Sequence, residues 1–264
     1  MAEPRTQEHA HTGTSSKPSA PHEPAQDVPQ FWIPSHVRAC PSASGAVILD
    51  LKRNRYYGVG AKEAYTLFTF GQHPPAPSSA LPWFEPPPLE TRVRIAQHLT
   101  EAGFLSRSPP EPAFVDGHIE LSGTLTSVGH EVAGFTRIHP GHFVRFLRAC
   151  AWSRRALRSR TLFSVASEIS ETKHRSSATF DQQRAIALVC VFRRLRPFAF
   201  AAKDQCLFHA LALVKFLSCY QVFPTWVIGV RARPWAAHSW IQEGSLVLDS
   251  NPEHICEYTP ILTV

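Results

Sequence analysis

The chain has 264 residues, 44% of them apolar, and no apolar run near the ~18 residues that a membrane-spanning helix needs, which excludes wholesale disorder and a transmembrane helix. Its 13 Gly and 23 Pro follow no triplet period and no internal repeat is visible, which excludes collagen, solenoids and propellers. The net charge of +6 is uneven: residues 130–200 hold 13 Arg/Lys against 4 Asp/Glu, leaving −3 for the rest, so this stretch suits nucleic acid, an anionic membrane face or an acidic protein, or is a set of solvated helix faces.

Residues 1–30 offer almost nothing to bury and read as a disordered tail. The opening MAEPRTQEHAHTGTSS lacks the apolar core of a secretory signal, so a cytoplasmic location with reduced thiols is expected. Order is expected from Phe31. His36–Cys40, Ala46–Leu51 and Asn54–Val59 read as strands, the last two joined by the polar turn Lys52-Arg53-Asn54. Ala61–Phe70 and Leu89–Ala102 have helical spacing, the second ended by Gly103, and Phe104-Leu105 reads as a final short strand. Three strands and two or three helices in this length suggest a winged-helix-like module over 31–112. Pro109, Pro110 and Pro112 mark its end.

No element is evident over 113–140. Residues 141–168 and 181–196 read as basic amphipathic helices, with Ser170–Thr179 the loop between them. Asp204 is placed to cap a helix from Gln205 to Tyr220. Val222–Val230, Ala237–Gln242 and Ser245–Asp249 follow as strands, the last two joined by the tight turn Glu243-Gly244. The whole is an α+β chain: a 1–30 tail, a 31–112 domain, and a 113–264 domain with a Cys-bearing helix on an antiparallel sheet.

The six cysteines show no C-x-x-C spacing, so no redox or zinc-knuckle motif is visible. Cys206 falls in the first turn of its helix, where the partial positive charge of the helix end stabilises a thiolate. A two-residue Glu243-Gly244 loop would set His238 directly opposite Asp249, with Cβ atoms about 5 Å apart on one face. An Asp holding one imidazole nitrogen leaves the other free for a thiol, the arrangement of a Cys-His-Asp enzyme. A slip of one residue would separate the two. Zinc bound by Cys206, His209, His238 and Asp249 is the competing reading, resting on a weak C-x-x-H signal. His254 and Cys256 read as structural. No nucleotide-binding or serine-hydrolase motif occurs, so no cofactor is expected from a motif.

Gln205-Cys206-Leu207, Ala210-Leu211-Ala212-Leu213, Ile228-Gly229-Val230, Ala237-His238-Ser239-Trp240 and Asp249 together resemble the lasso-peptide maturation proteases, the B proteins, over about 60 residues. Ala210, Ser239 and Gln242 depart from the family pattern at positions outside the triad. The resemblance implies a papain- and transglutaminase-like fold and a thiol endopeptidase with Cys206 as nucleophile, His238 as base and Asp249 orienting it. Val47–Leu51 and Arg55–Val59 resemble the leader-recognition domain related to the pyrroloquinoline-quinone chaperone, in which a leader peptide adds a strand to the sheet edge. Asp50, Tyr56, Tyr57 and Val59 are then the candidate leader contacts. The partners implied are the precursor peptide and an ATP-dependent, asparagine-synthetase-like cyclase through which ATP would enter. The basic 130–200 stretch is a candidate surface for docking that cyclase. No nucleic acid is implied, and membrane contact stays open. A precursor-binding scaffold without catalysis and an acyl-transferring, transglutaminase-like enzyme remain as alternatives.

Overall fold

Strands β1 (Val37–Ser42), β2 (Gly45–Asp50) and β3 (Arg55–Gly60) pair as an antiparallel meander with β2 in the centre. The computed structural model describes residues 30–71, 86–111, 114, 116, 117, 119, 124–128, 137–199 and 205–264. The proposed 1–30 tail, apart from residue 30, and the capping role of Asp204 lie outside them.

All six residues of β2 are buried, and the alternation of a strand explains how. Ile48 faces one way, into a small core with Phe31, Val37, Leu67, Phe70, Leu99 and Phe104 beneath α1 (Ala61–Phe70) and α2 (Leu89–Glu101). Val47, Leu49 and Leu51 face the other way, into the large core of the C-terminal half. The Pro-marked boundary near 112 is therefore a boundary in the chain, whereas the core runs across it. Phe104 and Leu105 are buried but not in a strand; Ser106 instead bridges to Trp32 through two backbone hydrogen bonds of 2.8 and 2.9 Å.

The single long helix read over 141–168 is two. α3 (Pro140–Ser159) stops, and α4 (Leu162–His174) starts behind Thr161, whose side chain accepts from Ser164 N at 3.2 Å as an N-cap. Asn54, in the left-handed region at the β2–β3 turn, reaches across: its Oδ1 accepts from Leu162 N at 2.7 Å, and its Nδ2 donates to Arg160 O at 3.3 Å. The polar turn of the first sheet thus helps cap a helix of the second half. α4 runs through His174, so the expected loop begins five residues late. α5 (Gln182–Leu195) starts on an Asp181 cap, and α6 (Cys206–Ser218) follows.

Behind the helices lies a second sheet in the order β4 (Thr126–Ser127), β7 (Leu246–Val247), β6 (Ala236–Glu243), β5 (Thr225–Arg231), β8 (Thr259–Thr263). β4 pairs parallel to β7 and the other pairs are antiparallel. β4 and β8 had no counterpart in the sequence reading. Ile228, Val230, Ile241 and Leu262 face α6 in the large core. Val227, Trp240 and Val247 face the other side, packed with Ile255 and Tyr258 around the short helix α7 (Pro252–Ile255). The β6–β7 turn is Gly244-Ser245, not Glu243-Gly244: Glu243 pairs with Leu246 and Gln242 with Val247. Gly244 has φ +53°, which a glycine adopts without the Cβ penalty.

Candidate active site

α6 is nearly all apolar, and eight of its thirteen residues are buried, so the core fixes the position of its first residue, Cys206. Gln205 stands at the N-cap without a side-chain cap hydrogen bond, which leaves no side chain of that residue competing for the first-turn N–H groups. Cys206, His209, Arg193, Arg196, His238, Ser239, Asp249 and Ser250 line one cavity of about 170 Å³. Among the described residues no group of three or more His, Cys, Asp or Glu is arranged to hold a metal ion.

The shifted turn changes how His238 and Asp249 meet. With Gln242 opposite Val247, the same spacing sets Trp240, not His238, level with Asp249. The ladder ends there: Leu248 N donates to Ile241 O at 2.9 Å, and Asp249 Oδ1 takes the Ile241 N–H at 2.7 Å. The carboxylate therefore replaces a strand in holding β6. His238 Nε2 lies 3.1 Å from Ser250 Oγ, so the expected direct His238–Asp249 pairing is replaced by a contact one residue further on. No hydrogen bond links Cys206 to His238 among the described residues.

Protonation follows the surroundings. The His238 ring lies against Trp240, His254 and Tyr258, with centroids 6.0, 5.1 and 5.5 Å away. Burial, then the neighbouring His254, pushes its pKa down to about 4, so the ring is neutral near pH 7 and able to accept a proton. Burial pushes Asp249 up to about 7, against the pull of Ile241 N–H, Arg193 and Arg196. His209 is also pushed down to about 4, by burial and then by Arg196, whose Nη2 donates to its Nδ1 at 3.1 Å. Gly229 makes the His238 face possible. A Cβ there would lie 2.7 Å from the Trp240 ring and 2.9 Å from Tyr258 Cβ, so only glycine lets Trp240 lie flat across β5.

The candidate leader contacts divide. Asp50 is fully buried, and its carboxylate accepts from Lys52 N, Arg53 N and Arg53 Nη1, each at 2.9 Å, so it holds the β2–β3 turn and is not open to a ligand. Tyr56, Tyr57 and Val59 line a groove of about 490 Å³ whose far wall is Ala232, Arg233 and Trp235, from the β5–β6 connection. The Tyr56 and Trp235 rings meet edge-on at 5.4 Å. Burial, then the proximity of Cys206, pushes the Tyr56 hydroxyl up to about 12.

Residues 144–263, with Cys206, His238 and Asp249 inside them, match the Transglutaminase-like superfamily. They form a transglutaminase-like domain. Members of this superfamily are often cysteine peptidases or acyltransferases. No curated protein and no solved structure matches the chain.

The transglutaminase-like domain also places at the site Arg193, Arg196 and Ser250, which sequence reasoning passed over, and His254, which it read as structural. Arg193 donates to Val128 O at 2.7 Å and to Leu248 O at 2.9 Å, tying α5 to the strand end that carries Asp249. Arg196 brings positive charge to the cavity, and Ser250 and His254 border His238. The signal for the arginines was present as Arg193-Arg194-Leu195-Arg196 at a helix end, but their long side chains reach partners 55 and 65 residues away in sequence for Arg193, beyond any local pattern.

Proposed function

We propose that the protein is a cysteine endopeptidase that removes the leader from a lasso-peptide precursor. The observation carrying this reading is the gathering of a helix-N-terminal thiol, a neutral imidazole and a buried carboxylate around one small cavity. Neutral His238 takes the Cys206 proton as the sulfur attacks the carbonyl at the leader–core junction. The Cys206 backbone N–H at the helix start faces the developing oxyanion, and Arg196 adds positive charge nearby. His238 returns the proton to the leaving amine, which is the new N-terminus of the core peptide. Water then hydrolyses the leader thioester and restores the thiol. Asp249 holds β6 through Ile241 and so positions His238 through the strand rather than by a direct bond.

The fused N-terminal part supports the peptide side of this reading. Among the described residues β3 pairs with β2 alone, so its other edge is open to an added peptide strand. That edge borders the groove whose far wall belongs to the transglutaminase-like domain. A leader on β3 would thus lead its junction toward Cys206, past Tyr56 and Trp235. The new amine would pass to the asparagine-synthetase-like cyclase.

The test is mass spectrometry of a neighbouring-gene precursor incubated with the wild type and with Cys206→Ala, with and without the cyclase and with an added primary amine. One cleaved bond with the wild type alone is the expected result. Amine-capped leader would show acyl transfer instead. Intact precursor that still binds both proteins would refute catalysis in favour of a scaffold.

A further inference from the structure

Seven large apolar residues are exposed among the described residues, and six of them lie on or beside α3: Ile138, Phe143, Val144, Leu147, Leu157 and Phe198. Large side chains gathered in one exposed place mark an interaction surface, whereas scattered ones do not. Phe143 and Phe198 meet edge-on at 5.9 Å, and Phe198 is 71% exposed. The inner side of α3, Phe146, Ala149, Cys150, Ser153 and Ala156, is buried, so the outer side is what the fold offers to a partner.

The outer side has an order. Val144, Leu147, Arg148, Ala151, Arg155 and Arg158 recur at three- and four-residue steps and form one stripe along the helix, about 21 Å long at the α-helical rise. It begins apolar with Val144 and Leu147 and continues with Arg148, Ala151, Arg155 and Arg158, so guanidinium groups dominate its C-terminal part. Residues 137–160 hold seven arginines and no Asp or Glu. Arg148, Arg155 and Arg158 form no ion pair among the described residues, while Arg160, Arg175 and Lys215 nearby are paired with Glu168 or Glu171.

We propose that this face of α3 seats the protein on an anionic phospholipid surface. The apolar residues project from the exposed side of α3 beside guanidinium groups that form no ion pair among the described residues. Rings and aliphatic tips can enter the acyl boundary while arginines meet lipid phosphates, the division of labour of an interfacial helix. A protein partner would need a groove cut to this ridge, whereas a fluid interface conforms to it. Among the described residues no helix is long and apolar enough to cross a membrane, so contact through this face would lie in the surface plane.

Co-sedimentation of the full chain with phosphatidylcholine vesicles, and with vesicles also containing phosphatidylglycerol, tests the proposal. Binding to the anionic vesicles alone, weakened by added salt, is expected. Arg148→Gln with Arg155→Gln should weaken it by roughly fivefold per arginine removed. Phe143→Ser with Phe198→Ser should abolish it at moderate salt. All four positions are exposed or on the helix surface, and unchanged thermal melts would show that the variants fold. No binding to anionic vesicles at low salt overturns the proposal and leaves the ridge to an acidic protein. Binding that survives the Phe143/Phe198 double change overturns it equally.

Discussion

Replacing Asp249 by Asn separates what this residue does for the fold from what it does for chemistry. Its pKa moves from 3.8 to about 7 because protein surrounds the carboxylate. Between those values the folded state holds a proton that the unfolded state has released. Stability therefore falls as pH rises from about 4 to about 7, and the full cost is present above pH 7. A shift of that size amounts to about 4 kcal/mol at most. Asparagine keeps an oxygen for the Ile241 N–H and carries no charge. Asp249→Asn should thus be more stable than wild type by up to about 4 kcal/mol at pH 8 and equal to it near pH 4. Urea unfolding at both pH values measures this. A variant less stable than wild type at pH 8 would refute the reasoning, because it would mean that Arg193 and Arg196 hold an ionised, net-stabilising carboxylate.

Other outcomes can be checked separately. Cys206 and Cys219 stand at opposite ends of α6, and Cys40, Cys150 and Cys190 are buried, so limited iodoacetamide should mark Cys206 well before the more exposed Cys219; equal marking by peptide mapping would deny that the helix end activates the thiol. Asn54→Ala removes the acceptor for Leu162 N and should cost about 1–2 kcal/mol in a denaturant midpoint; an unchanged midpoint would mean that the contact adds nothing. Gly229→Ala forces the Trp240 ring aside and should cost about 1–3 kcal/mol with a changed near-ultraviolet spectrum. The acid limb of kcat/KM should lie near pH 4, where His238 takes up a proton, and not near 6.5, since burial keeps the ring neutral between those values.

What the sequence made legible was local. β1–β3, α1 and α2 come out within a residue or two because period and punctuation agree: β-favouring runs set off by the polar turn Lys52-Arg53-Asn54, 3/4 spacing in the helices, Gly103 after the second. α6 was legible for the same reason. The site failed to come out whole because its geometry depends on one turn. Glu243-Gly244 and Gly244-Ser245 are both two-residue turns with a glycine, and sequence patterning favours neither. Moving the turn by one residue changes the pairing by two and keeps the same face toward the viewer, which is why His238 and Asp249 still border one cavity while their direct pairing does not form. The break at Thr161 was hidden for a different reason: basic and apolar residues continue in helical spacing across it, and the cap that stops it works with Asn54, more than a hundred residues earlier.

On the proposed function, that Asn54 contact explains how peptide recognition and catalysis would share one chain. Leu51 O accepts from Phe163 N at 3.0 Å beside it, and Val47, Leu49 and Leu51 lie in the same core as Leu211 and Ile241. Core packing of this kind resists sliding, because displacing even one buried leucine costs roughly 2–5 kcal/mol. The distance from the free β3 edge to Cys206 is therefore fixed by the fold and not by a linker. A peptide added to that edge in a given register would present the same bond to the thiol each time. Loosening the junction, as Asn54→Ala does, should accordingly spread cleavage over neighbouring bonds before it abolishes it. A mass spectrum of precursor digested by that variant, still showing one junction at reduced rate, would argue that the register is set by the cavity around Cys206 alone.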